Sequence, residues 1–172
     1  MVYDTNIKYL YYLIIQTMES KSNPPAQAGR KVVITSGFFN PLHIGHINLI
    51  REAKNLGDFL VVIVNNDAQV KIKGSVPFMP EQERIEIIKA LRYADDVVLS
   101  VDEDGSVIES LKMVAKKYPG ELFFAKGGDR NIDNIPEKNI CEELEIKIIN
   151  NVGGGKVQSS SWLLKNAVKN KK

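Results

Sequence analysis

The chain is expected to fold as an α/β domain, doubly wound around a five-stranded parallel sheet. Three observations predict it. Strand-like runs alternate with amphipathic segments of helical period, the order that a parallel sheet covered by helices on both faces requires. One run, Phe59–Asn65, is apolar throughout, as a strand buried on both faces must be. Glycine-rich or polar segments follow four of the runs, at the carboxyl ends where open parallel sheets bind ligands.

The elements are read in chain order. Lys31–Ser36 is the first strand. A helix follows over Ile44–Leu56, with Ile47, Ile50 and Ala53 on one stripe and Gly57 at its stop. After Phe59–Asn65 comes a polar loop with Lys71 and Lys73. A second helix starts near Pro80, a residue suited to a first turn, and points Ile85, Ile88 and Leu91 inward. Asp96–Val101 is the third strand. Ser106-Val107-Ile108-Glu109 has the pattern of a capping box and opens a helix with Val107, Leu111, Val114 and Tyr118 at helical spacing. Glu121–Ala125 is the fourth strand, Ile135–Leu144 a helix and Ile146–Ile149 the fifth strand. Gly153–Gly155 turns the chain into a terminal helix near Ser160, in which Trp162 is expected to pack into the core.

With 172 residues the chain is long enough for one domain with a substantial core. The division expected is an N-terminal extension and linker over residues 1–30 and one domain over 31–172. The net charge of +2 is too small to argue for nucleic acid as a partner. Cys141 is the sole cysteine, which excludes an intrachain disulfide and fits a reducing cytoplasm. No Cys/His cluster has zinc spacing. Tyr9–Ile15 is apolar but far shorter than the roughly 20 residues of a membrane span, so no membrane association is expected. A short docked helix, a dimer contact and a segment upstream of a start at Met18 are three open readings of it.

Both histidines of the chain lie in Gly37-Phe38-Phe39-Asn40-Pro41-Leu42-His43-Ile44-Gly45-His46. This stretch joins a strand to a helix N-terminus, where free backbone N–H groups and the helix dipole favour phosphate. Imidazoles at i and i+3 face the same side and can donate to phosphate oxygens without a permanent cation. Lys126-Gly127-Gly128-Asp129-Arg130 places two glycines after a buried strand, a sign of close backbone approach to a ligand. Gln158-Ser159-Ser160-Ser161 offers hydroxyls at another helix N-terminus. Asn66 and Asp67 can hydrogen-bond a hydroxylated acceptor, with an ordinary turn as the alternative.

The histidine stretch resembles the signature of the cytidylyltransferase-like nucleotidyltransferases, the HxGH superfamily. Its members include glycerol-3-phosphate cytidylyltransferases and heptose-phosphate adenylyltransferases. The resemblance runs from about Lys31 to about Ala167. It implies a Rossmann-like fold and transfer of AMP or CMP from ATP or CTP to a sugar phosphate or phospho-alcohol, with release of pyrophosphate. It implies that His43, His46 and Lys73 act on the phosphates, with Mg²⁺ as cofactor and no side-chain ligand predicted for it. Nucleotide contacts are expected from Gly37, Phe38, Phe39, Asn40, Gly45, Lys126, Gly127, Gly128, Asp129, Gln158, Ser159, Ser160 and Ser161. Acceptor contacts are expected from Asn66, Asp67, Lys71, Arg84 and Arg130, where Arg84 has a surface helix charge as its plain alternative. A homodimer is the expected assembly.

Two departures from the family pattern stand out. Family members usually carry aspartate where this chain has Asn40, and an arginine often precedes the serine motif where Lys156 is the nearest cation. They motivate the alternative function, a non-catalytic nucleotide-binding regulatory protein on the same fold.

Overall fold

The computed structural model describes residues 29–128, 135–155 and 157–169. Residues 1–28 of the expected extension, Asp129, Arg130 and Lys156 lie outside the described residues. The strands are β1 (Lys31–Gly37), β2 (Phe59–Val64), β3 (Asp96–Leu99), β4 (Glu121–Gly127) and β5 (Lys147–Val152). The helices are α1 (Ile44–Lys54), α2 (Asp67–Ile72), α3 (Glu81–Lys89), α4 (Ile108–Lys117), α5 (Lys138–Glu143) and α6 (Ser160–Lys169).

All five strands pair in parallel, in the order β3-β2-β1-β4-β5. Alternate side chains of each strand point to opposite faces, and the sheet is therefore sandwiched between two apolar layers. Val33, Leu60 and Val62 pack with Ile50 and Ala53 of α1 and with Ile85 and Ile88 of α3. Ile34, Val61 and Ile63 pack on the other face with Leu111 and Val114 of α4 and with Ile140 and Cys141 of α5. β2 is buried along its whole length, which explains its uninterrupted apolar run. From β1 the chain winds outward through β2 to β3, then returns to add β4 and β5 on the other side. This reversal leaves a crevice between the carboxyl ends of β1 and β4, the switch point where such sheets bind ligands.

Three expectations are corrected. The segment between β2 and α3 is not all loop: α2 forms there because Asn66 and Gln69 cap it reciprocally. Asn66 Oδ1 accepts from Gln69 N at 2.9 Å, and Gln69 Oε1 accepts from Asn66 N at 3.1 Å. The capping box expected at Ser106 does not form, because Ser106 N donates to Asp104 Oδ1 at 2.8 Å. Asp102, buried near the start of the loop after β3, caps α4 instead, accepting from Glu109 N at 2.7 Å and Ser110 N at 3.1 Å. Trp162 is 46% exposed and not a core residue. No described helix is long and apolar enough to cross a membrane.

Candidate active site

At the switch point a cleft of about 250 Å³ opens. The turn after β1 and the N-terminus of α1 form one wall, and Gly127, Gly128 and Gly153–Gly155 form the floor toward β4 and β5. Gly153 is sterically required: its φ is +87, and a Cβ there would lie 2.7 Å from the backbone N of Leu49. A Cβ at Gly37 would lie 2.8 Å from the tip of the Phe39 ring, which would have to shift. The approach at Gly153 lets the β5 turn press directly against α1.

The histidine turn is held from beneath. Phe39 takes a left-handed conformation (φ 49), uncommon for a bulky residue. Its ring is 1% exposed and sits edge-on to His46 at 5.0 Å. Burial of the ring offsets the backbone strain and fixes His46 from below. His43 is the N-cap of α1, and its ring stacks on that of His46 at 3.7 Å, 23° from parallel. The backbone N of His43 donates to His46 Nδ1 at 3.3 Å. A neutral His46 therefore carries its proton on Nε2 and is a donor there.

Burial pushes the His46 pKa down to about 3, with His43 and Lys73 adding to the shift, and burial lowers His43 as well. Both imidazoles are thus neutral near pH 7. They are donors at the positive end of α1, with no mutual charge repulsion. Lys73 caps the C-terminus of α2 and reaches the same end of the cleft, with Nζ 4.2 Å over the Phe38 ring.

The opposite end of the cleft is built differently. Lys126 Nζ lies 3.3 Å from Glu137 Oε2, with side-chain exposures of 8% and 4%. The other oxygen, Oε1, accepts from Val107 N at the start of α4 at 3.2 Å. Lys126 also lies 4.4 Å over the Phe124 ring. Glu137 and Val107 are cleft residues that the sequence reading missed. A lysine near the end of a buried strand signals that a counter-charge must exist, but nothing in the spacing singles out Glu137 among the acids.

The expected catalytic and nucleotide residues divide. Gly37, Phe38, His43, Gly45, His46, Lys73, Lys126, Gly127, Gly128, Gln158 and Ser160 line the cleft. Phe39 and Asn40 support it from outside, and Ser159 and Ser161 do not line it. Ser159 Oγ accepts from Trp162 N at 3.2 Å and lies 3.1 Å from Ser161 Oγ, so it caps α6. Ser160 Oγ donates to Pro41 O at 3.0 Å and ties the start of α6 to the histidine turn.

Among the residues expected to touch the acceptor, Asn66, Asp67 and Arg84 are engaged in the scaffold. Asn66 Nδ2 donates to Ser100 O and Asp102 O. Arg84 is 0% exposed, which overturns its surface alternative. Its guanidinium donates to Phe38 O (2.7 Å), Asn65 O (2.6 Å), Met79 O (3.1 Å) and Asp67 Oδ1 (2.6 Å). Lys71 lies on the exposed side of α2, outside the cleft. Among the described residues no group of three or more His, Cys, Asp or Glu could hold a metal ion.

A model of the family described as cytidylyltransferase-like matches residues 34–153, from inside β1 through the Gly153 turn. The chain belongs to the cytidylyltransferase-like family. It is 37% identical over 118 residues to an FAD synthase of Pyrococcus abyssi, spanning 68% of this chain and 77% of that one. It is 42% identical over 118 residues to the bifunctional protein HldE of Citrifermentans bemidjiense, covering 66% of this chain but 22% of that protein. Among solved structures, a lipopolysaccharide core biosynthesis protein from Thermoplasma volcanium is similar with a TM-score of 0.58 and 26% identity, over 72% of this chain and 97% of that one. As a member of the cytidylyltransferase-like family, the chain is an enzyme of the nucleotidyltransferase class.

Proposed function

We propose that the protein transfers AMP from ATP to a phosphorylated small-molecule acceptor and releases pyrophosphate. The observation that carries this reading is the stacked pair of imidazoles at the N-terminus of α1, facing the cleft. The similarity to an FAD synthase favours ATP as donor and makes FMN the first acceptor to test.

In this mechanism an oxygen of the acceptor phosphate attacks the α-phosphorus in line, and the bond from that phosphorus to the bridging oxygen breaks. The acceptor phosphate is ionised near pH 7, since its second pKa is about 6, so no general base is needed. Negative charge shifts onto the departing pyrophosphate. His46 Nε2–H, the His43 ring and Lys73 receive that charge, and the amides at the α1 N-terminus add the helix dipole. Such catalysis is positioning and charge stabilisation, with no covalent enzyme intermediate. The glycine floor fits a nucleoside lying flat against backbone.

Mg²⁺ is the expected cofactor. The phosphate end of the cleft presents imidazoles, amides and hydroxyls, so its oxygen ligands would be the triphosphate's own and water. Its contribution is to offset phosphate charge, and no step is derived through it. The regulatory alternative drew on Asn40. That side chain is 4% exposed and bonds the neighbouring loop, so its replacement of aspartate takes no group out of the cleft.

The test is pyrophosphate release with MgATP, MgCTP, MgGTP and MgUTP against FMN, glycerol 3-phosphate and a sugar 1-phosphate. Release with ATP and one acceptor is expected. A protein that binds MgATP but releases no pyrophosphate with any of these acceptors would favour the regulatory reading.

A further inference from the structure

The loop between α2 and α3 carries exposed apolar side chains, yet its backbone is fixed. Val76 is 77% exposed and Phe78 is 61% exposed, so packing of these side chains contributes little to holding it. The buried side chain of Asn40 supplies the hold. Asn40 Nδ2 donates to Val76 O at 2.9 Å, while its Oδ1 accepts from Phe78 N at 2.6 Å and from Met79 N at 3.2 Å. From the other side Arg84 Nε donates to Met79 O. Lys73 is three residues before Val76, and its ammonium lies against Phe38, two residues before Asn40.

We propose that Asn40 is a positioning residue for nucleotidyl transfer: its amide latches residues 76–79 to the histidine turn and thereby fixes the segment that presents Lys73 to the phosphate end of the cleft. The proposal rests on the nucleotidyltransferase reading above. The chemistry of the latch is specific to an amide. One end must accept from two N–H groups and the other must donate to a carbonyl, and asparagine does both. An ionised aspartate keeps the two accepted bonds but turns a second carboxylate oxygen toward Val76 O, replacing attraction with repulsion. This chain therefore uses the residue that departs from the family pattern to hold the loop.

The prediction concerns coupling between two residues. MgATP dissociation constants are measured for the wild type, Asn40→Asp, Lys73→Ala and the double variant. Asn40→Asp is expected to weaken MgATP binding about fivefold, and to weaken it less than about twofold once Lys73 is already alanine. An equal loss in both backgrounds, or no loss in the wild type, overturns the proposal. Amide hydrogen exchange reads the latch independently: Phe78 and Met79 should be protected in the wild type and unprotected in Asn40→Ala, whereas Asn40→Asp, which keeps an acceptor for both amides, should retain that protection. Free exchange at both amides in the wild type overturns it even if neither variant folds. A wild type that binds no MgATP defeats the donor assignment instead, and the exchange result then judges the latch alone.

Discussion

Two chain segments meet at the phosphate end of the cleft, and they are attached in contrasting ways. The turn after β1, Gly37–His46, is clamped from within: Phe39 is buried, Asn40 bonds the neighbouring loop, and the buried Arg84 grips Phe38 O. The segment after β5 is built from Gly153–Gly155 and leads to α6, with Gly154, Gly155 and Val157 exposed. Its described tie to the histidine turn is the Ser160 bond to Pro41 O. The difference separates two tasks. Groups that must face a reacting phosphorus need fixed geometry, since a misplacement of about 1 Å can cost about a hundredfold in rate. A wall against a nucleoside can be made of backbone with few anchors.

The sharpest way to break this contrast is to remove the clamp. Arg84→Ala leaves Phe38 O, Asn65 O and Asp67 without their buried partner, and is expected to cost about 3–5 kcal/mol in a denaturation experiment. A loss below about 1 kcal/mol would mean that the clamp is dispensable. His46→Ala leaves the clamp in place but removes the donor it orients. Turnover should fall by about 10²–10³ with little change in melting temperature, and an unchanged rate would remove His46 from the mechanism.

Acid gives a graded test of the same region. With a folded-state pKa of about 3 against an ordinary 6.5, His46 binds no proton in the folded state while the unfolded chain does. Stability should therefore fall as pH drops from about 6.5 toward 3, by at most about 1.4 kcal/mol per unit. His46→Gln should flatten that slope when denaturation midpoints are followed across the window, and an identical slope would contradict the burial of a neutral ring. The smallest effect is expected on the tethered side. Ser160→Ala removes a partly exposed hydrogen bond and should cost no more than about 1 kcal/mol in stability. A larger loss would place the second segment among the clamped ones.

The parts legible in the sequence are those where one physical requirement dominates. Phe59–Val64 reads as a buried strand because both of its faces must be apolar, and the histidine turn reads as a phosphate site because its glycines and imidazoles serve no ordinary core. α2 was missed because its six residues carry no apolar stripe. Its capping pair closes only when Asn66 and Gln69 are both placed, and Gln69 is 0% exposed through bonds to Asp104 O and Ser106 O that lie far along the chain. The expected cap of α4 failed for the same reason, since Asp102 reaches forward over seven residues while Ser106 is nearer at hand. Arg84 could have been placed better. It lies four residues before the buried Ile88, so it shares the inward stripe, and a charged residue there implies internal partners. Glu137 was beyond reach, because it meets Lys126 only once β4 and the approach to α5 have been folded together.

Cys141 has a practical consequence. It is the chain's sole cysteine, it is 1% exposed on the buried side of α5, and its thiol is pushed up to about 11 by burial and by Glu137. At neutral pH it is protonated and shielded, so the natural protein is expected to react slowly with thiol reagents. A Val76→Cys substitution would introduce a lone reactive sulfur on a side chain that is 77% exposed, without touching the Val76 carbonyl that Asn40 holds. A fluorophore or spin label attached there would report the movement of the lysine-bearing loop directly, against a low background.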